Sequence, residues 1–240
     1  MELRVVCGDI TTWKCDAIVN SASESLLGDS ALDMRIHQAG GLSFRSACSS
    51  LGGCQEGKAV LTYGYDLPAR YVIHTVPPYW RGGAYQEEAL LLSCYRSCLA
   101  LATAKQMQYV AFSPIGIEDK RIPPNRAAAV AIPVLVGAGA ALQRIDLVCE
   151  TAKTLRAYTK AAVYFWLQKV SDIQAAGPET IWKEALLALT VLRPAGDNSP
   201  DRQADRLVSV RQVLQAYKAR PASIVALDET AAKIMEIYET

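Results

Sequence analysis

The sequence predicts a three-layer α/β/α domain built on a mixed, mostly parallel sheet and followed by an all-helical extension. Two observations carry this. From Leu3 to about Val170, short Val- and Ile-rich runs alternate with longer segments whose apolar residues recur every three or four positions, the pattern of strands joined by helices on both faces of a sheet. Beyond Val170 the alternation stops and only helical stripes remain. The expected organisation is therefore an α/β domain over residues 1–170 and a helical extension over 171–240.

The elements follow in order. Leu3 to Cys7 is an apolar run ended by the turn Gly8-Asp9-Ile10-Thr11, and Asp16 to Val19 reads as a second, buried strand. Met34 to Ala47 is helical, with a break or bend expected at Gly40-Gly41. Ala59 to Tyr63 and Tyr71 to Val76 are β-rich runs separated by the turn chemistry of Asp66-Leu67-Pro68. Glu87 to Gln106 is a strong helix, with Ala89, Leu92, Tyr95, Leu99 and Ala102 on one face. Tyr109 to Phe112 is a strand and Pro114 to Pro124 a loop. Asn125 is placed to cap a helix over Arg126 to Val136, in which Pro133 demands a kink or an early stop. Gly137 and Gly139 lead to a strand over Ile145 to Cys149, and a helix spans about Thr154 to Val170.

In the extension, Glu179 to Leu192 is amphipathic and Arg193 to Asp201 is a polar linker. Leu207, Val210, Leu214 and Tyr217 form a stripe, and Asp228-Glu229-Thr230 opens a last short helix. Such a tail cannot bury its faces alone, so it packs on the α/β body or on a second copy as a homo-oligomer.

Composition narrows the function. Of 240 residues, 51% are hydrophobic and 20% charged, and 25 basic residues face 24 acidic ones. That balance excludes an overall electrostatic nucleic-acid footprint. Seven cysteines with no Cys-x-x-Cys pair, and only His37 and His74 beside them, support neither a disulfide framework nor a zinc site. No metal or cofactor is expected. No stretch reads as a signal peptide or bilayer span, so a cytoplasmic, membrane-free protein is the expectation.

The segment Gly8 to Gly41, GDITTWKCDAIVNSASESLLGDSALDMRIHQAGG, is where chemistry would sit. A strand feeding a Gly/Ser loop and then a helix presents backbone N–H groups to an anion. Asp33, just inside the helix, is equally an N-terminal dipole partner, and Asp9 equally a turn residue. His37 and His74 read as structural histidines, and Cys94 and Cys98 as core.

Together GDIT, CDAIVN, LLG, IHQAGG, GCQEGKAVLTYGYDLPARYVIHTVPPYWRGG and EEALLLSCYRSCLALA resemble the macrodomain family, its bacterial hydrolase-like branch in particular, over roughly the first 170 residues. The resemblance implies binding of ADP-ribose or an ADP-ribosylated protein. It also implies, in many members, hydrolysis of ADP-ribosyl groups or deacetylation of O-acetyl-ADP-ribose. It would place Asp9 and the Ile10 backbone at the adenine and Asn20 and Ser23 at the distal ribose. Gly28, Gly116 and Ile117 would fall in the phosphate loops, and Asp33 would act as the acid handling the catalytic water, with Asn20 holding the ribose.

The sequence departs from that pattern in four places. An Asn-x-x-Asn becomes Asn20-Ser21-Ala22-Ser23, which exchanges an amide for a hydroxyl, a loss of about 0.5–1.5 kcal/mol if one hydrogen bond goes. The glycine run after the leucines becomes Gly28-Asp29-Ser30-Ala31, and the second phosphate loop carries Ile117, Glu118 and Arg121 in place of Ser/Thr and two glycines. A carboxylate about 4 Å from a phosphate charge costs on the order of 4 kcal/mol at an effective dielectric of 20; Lys120 and Arg121 would offset this by turning inward. An adenine-stacking aromatic is replaced by Glu150. The expected function is recognition of ADP-ribose or a similar nucleotide with weak or lost hydrolase activity. The alternatives are an active hydrolase or deacetylase, and a non-binding interaction module.

Overall fold

The computed structural model describes residues 1–138, 142–173, 185, 200–218 and 224–239. Its strands are β1 (Glu2–Cys7), β2 (Ala17–Ser21), β3 (Ala59–Tyr63), β4 (Tyr71–Thr75), β5 (Tyr109–Phe112) and β6 (Arg144–Cys149). They form one sheet in the order β1-β6-β5-β2-β4-β3. Every neighbouring pair is parallel except β3 against β4, so the antiparallel strand lies at one edge.

Side chains leave the sheet alternately, and the two faces bury separate cores. On β2, Ala17 and Val19 enter the larger core while Ile18 enters the other; on β6, Ile145, Leu147 and Cys149 oppose Val148 in the same way. The smaller core is closed by α1 (Ala31–Ser50) through Leu32, Ile36, Phe44 and Cys48. The larger is closed by α2 (Glu87–Ala104), α3 (Pro124–Gly137) and α4 (Ala152–Ile173). The three-layer expectation is met, and α1 bends at Gly41, whose φ is 78°.

The described part of the tail, α5 (Pro200–Lys218) and α6 (Ile224–Glu239), lies against the α/β body. Val210, Leu214, Tyr217, Ile234 and Tyr238 join the larger core, and the Tyr164 hydroxyl on α4 donates to Asp228 Oδ1 at 2.7 Å. These helices pack on the body, as one of the two sequence alternatives has it.

Some boundaries differ. Pro123, not Asn125, precedes the first turn of α3, without a side-chain cap; Pro124 at the first position needs no N–H partner, and Pro133 stays inside the helix. The last helix opens at Ile224 rather than Asp228 and is 16 residues long, and Pro200 and Asp201 already belong to α5. The amphipathic stretch Glu179 to Leu192 (Ala185, which is buried, apart), the linker over 193–199 and Gly139 lie outside the described residues.

One buried ion cluster ties the sheet's far end together. Asp146 on β6 is fully buried and accepts from Arg144 Nη2 at 2.7 Å, Tyr109 Oη at 2.6 Å and Trp13 Nε1 at 3.0 Å. Burial alone would raise its pKa, but the Arg144 and Tyr109 hydrogen bonds, with the charges of Arg144 and Arg4, overcome that and hold it below its ordinary value.

Candidate functional site

A narrow cleft with a volume of about 30 Å³ opens where β2, β5 and β6 end. Ile10, Ser21, Pro114, Ile117, Glu118 and Glu150 are among its lining residues. Ligand crevices in open α/β sheets form at carboxyl strand ends such as these, because the loops diverge there. The turn after β1 supplies Ile10, and the loop after β5 supplies Ile117.

The cleft is acidic on one wall. Glu118, Asp119 and Glu150 all line it. Burial first, then the charges of Glu150 and Asp119, push the Glu118 carboxyl above its ordinary value. The counter-charge comes from Arg35 on α1, which pairs with Glu150 and also feels Asp9 and Glu118. Lys120 does not face this wall: it is buried, with Nζ 4.2 Å from the Tyr79 ring centroid, a cation–π contact. Arg121 is exposed with φ 57°.

Gly116 holds the β5 loop in place. Its φ is 78° and its N–H donates to Ser21 Oγ at 3.1 Å. A Cβ there would lie 2.6 Å from Ile122 Cδ1.

Behind Ser21 and Leu32 lies a sealed polar cluster. Asn20 and Asp33 are fully buried and His37 is 3% exposed, and none of the three is among the cleft-lining residues. Asn20 Nδ2 donates to Asp33 Oδ1 at 2.6 Å and sits 3.3 Å from His74 Nδ1. His37 Nε2 lies 3.5 Å from Asp33 Oδ1. Burial raises the Asp33 pKa, against the opposing pull of the Asn20 hydrogen bond, the His37 charge and the Ser23 and Asp29 amides. Burial lowers that of His37, and burial brings His74 to about 3, so His74 is neutral.

The loop between β2 and α1 covers this cluster. The backbone amides of Ser23 and Asp29 face the Asp33 carboxylate without closing a hydrogen bond to Oδ2. Gly28, with φ 87°, lies against the His37 ring, where a Cβ would be 3.3 Å from Cγ. Asp29 does not stand free as an added charge. Its Oδ2 accepts from both Ser23 Oγ and Ser25 Oγ at 2.6 Å, and these bonds lower its pKa. Ser23, expected at a ribose, is thus engaged within its own loop. Asp9 caps the short 3₁₀ turn Ile10–Thr12, accepting from Thr11 N at 3.0 Å and Thr11 Oγ1 at 2.8 Å.

The geometry brings Ile10, Ile117 and the Gly116 loop to the cleft and groups Asn20 with Asp33 behind it. Asp33 as placed touches no solvent, so water reaches it only if the covering loop moves. Among the described residues no group of His, Cys, Asp and Glu is arranged to hold a metal ion.

Comparison with known proteins places this architecture. The Macro domain family model matches residues 19–131. A macro domain-containing protein of Ralstonia nicotianae is 45% identical over 161 residues, spanning 67% of this chain and 94% of that protein. The chain belongs to the macrodomain family. A Salmonella gallinarum protein named O-acetyl-ADP-ribose deacetylase is 41% identical over 166 residues, covering 66% of this chain and 93% of that protein. Among solved structures, the Oceanobacillus iheyensis macrodomain with ADP aligns with a TM-score of 0.65 at 29% identity, over 68% of this chain and 91% of that one. The Trypanosoma brucei macrodomain in complex with ADP-ribose aligns with a TM-score of 0.60 at 32% identity, over 65% and 67%.

Two participants were not singled out from the sequence. Arg35 reads there as one more exposed charge on a helix; only the approach of the β6–α4 loop makes it the partner of Glu150. Thr62, on edge strand β3, reads as an ordinary strand residue, yet its hydroxyl meets His74 Nε2 at 3.0 Å.

Proposed function

We propose that this macrodomain binds ADP-ribose, or a closely related adenosine diphosphate nucleotide, in the cleft at the ends of β2, β5 and β6, and that hydrolytic turnover is weak or lost. Solved relatives carry ADP or ADP-ribose, which supports the ligand class. The observation that carries the weakened chemistry is the cleft wall itself. Glu118, Asp119 and Glu150 line the space a diphosphate would enter, with Arg35 opposing them and Lys120 turned onto Tyr79.

The sealed Asp33 supports the second half. A carboxylate that is to orient water has to meet it, and Asp33 is fully buried under the Ser23–Asp29 loop. One observation favours an active enzyme instead: Asn20 and Asp33 stand in hydrogen-bond contact at 2.6 Å, and relatives about 40% identical are named O-acetyl-ADP-ribose deacetylases. Incubating the full chain with O-acetyl-ADP-ribose, beside Asp33→Ala, separates the two. The proposal expects turnover near background in both proteins. Turnover that Asp33→Ala abolishes would establish the enzyme.

A further inference from the structure

We propose that His74 and Thr62 are positioning residues for Asn20, holding its side-chain amide with both N–H groups turned into the core and the carbonyl oxygen left for a ligand. The inference rests on the ligand class proposed above for this site, and it goes further by fixing the polarity of the contact.

The chain of bonds crosses three strands and a helix. Thr62 on β3 lies 3.0 Å from His74 Nε2, His74 Nδ1 lies 3.3 Å from Asn20 Nδ2, and Asn20 Nδ2 donates to Asp33 Oδ1 at 2.6 Å. Asn20 and His74 are direct register partners on β2 and β4, so the pair is set by the sheet rather than by flexible side chains. Phe44 packs on the His74 ring at a centroid distance of 5.5 Å and further restricts it.

A primary amide nitrogen donates two hydrogens and accepts none. One goes to Asp33, so the other goes to His74 Nδ1, which must then carry no proton. A neutral imidazole with a bare Nδ1 has its hydrogen on Nε2, and Nε2 faces the Thr62 oxygen. Each group in the series is thereby fixed in one sense. What remains is Asn20 Oδ1, fully buried and without a partner, beside Asp33 Oδ2, which also has none.

The reverse assignment puts the amide oxygen between Asp33 and His74. It would need a proton on Asp33 and another on His74 Nδ1. It would also leave both amide hydrogens at the buried position that has no partner, which weighs against that arrangement. With the oxygen free, Asn20 and Asp33 each offer an acceptor, so once the Ser23–Asp29 loop that covers them moves, the pair takes a ligand group that donates, such as a free hydroxyl.

The test uses the full chain labelled with ¹⁵N, in which long-range proton–nitrogen correlations report which ring nitrogen of His74 is protonated. The proposal expects hydrogen on Nε2 alone at neutral pH. Thr62→Val, nearly isosteric, should shift the Asn20 side-chain amide resonances and weaken ADP-ribose binding about threefold to tenfold, the loss of one oriented hydrogen bond. Thr62→Ser should restore both. Hydrogen on Nδ1, or unchanged Asn20 resonances in Thr62→Val, would overturn the proposal. Absence of ADP-ribose binding by the wild type would defeat the ligand assignment only, and the resonances would still decide the relay.

Discussion

The guanidinium of Arg35 on α1 pairs with the carboxylate of Glu150, which follows β6, and so joins two elements separated by 115 positions at the mouth of the cleft. Arg35 also interacts with Asp9 and Glu118, so one cation opposes most of the acidic wall. Replacing Arg35 with Gln should weaken ADP-ribose binding, and Glu150→Gln should strengthen it, each by roughly tenfold, or about 1.4 kcal/mol. Calorimetry of both variants at low and high salt checks this; the differences should shrink as salt screens the partly exposed pair.

Glu118 makes binding pH-dependent. Burial, then the charges of Glu150 and Asp119, hold its pKa above the ordinary 4.5. As pH falls from neutral toward that raised value the carboxylate is neutralised, so affinity for a diphosphate should rise. The sign for folding is the same: a carboxylate whose pKa is raised on folding disfavours the native state above that pKa, and the penalty is relieved as pH falls. Titrations of the wild type and Glu118→Gln across this range should diverge, with the variant flatter.

Asp146 has the opposite sign. The hydrogen bonds from Arg144 and Tyr109 and the charges of Arg144 and Arg4 hold its pKa low against burial. Its stabilisation is therefore full above the unfolded value of 3.8 and lost as pH falls through the lower folded value. Asp146→Asn should cost about 1–3 kcal/mol in urea unfolding at neutral pH, because it takes the carboxylate away from the partly buried Arg144 and Arg4. The deficit should narrow at low pH.

Gly116→Ala should destabilise the protein by roughly 1–3 kcal/mol. Its positive φ suits glycine, and the added methyl would meet Ile122 Cδ1 at 2.6 Å and Pro77 Cβ at 3.1 Å. Thermal unfolding measures the cost. Loss of the Gly116 bond to Ser21 Oγ should also appear as faster amide exchange at that position.

The sequence made the fold legible because the two periodicities leave a mark at each element. Ile18 against Ala17 and Val19 already names opposite faces, and Gly40-Gly41 already marks the bend in α1. Helix ends were harder: Asn125 looks like a cap, but Pro123 and Pro124 set the start of α3 through backbone geometry that side-chain chemistry does not announce. In the site, Asn20, Asp33 and the acidic residues of the cleft could be picked out by type. Their partners could not. Asp29 reads as a lone charge, yet Ser23 and Ser25 fold back to solvate it, and Lys120 reads as a phosphate clamp, yet its ammonium lies over the Tyr79 ring. Such contacts depend on side-chain direction across long sequence separations, which neither pattern nor propensity encodes.

Calorimetric titration of the full chain with ADP-ribose tests the central claim most directly. Weak but saturable binding, with a dissociation constant of about 100 μM or above, near −5.5 kcal/mol or weaker, is the result expected of a cleft lined by Glu118, Asp119 and Glu150 and opposed by Arg35. A dissociation constant in the low micromolar range would contradict the account of the acidic wall, and no binding at millimolar ligand would contradict the assignment of the ligand.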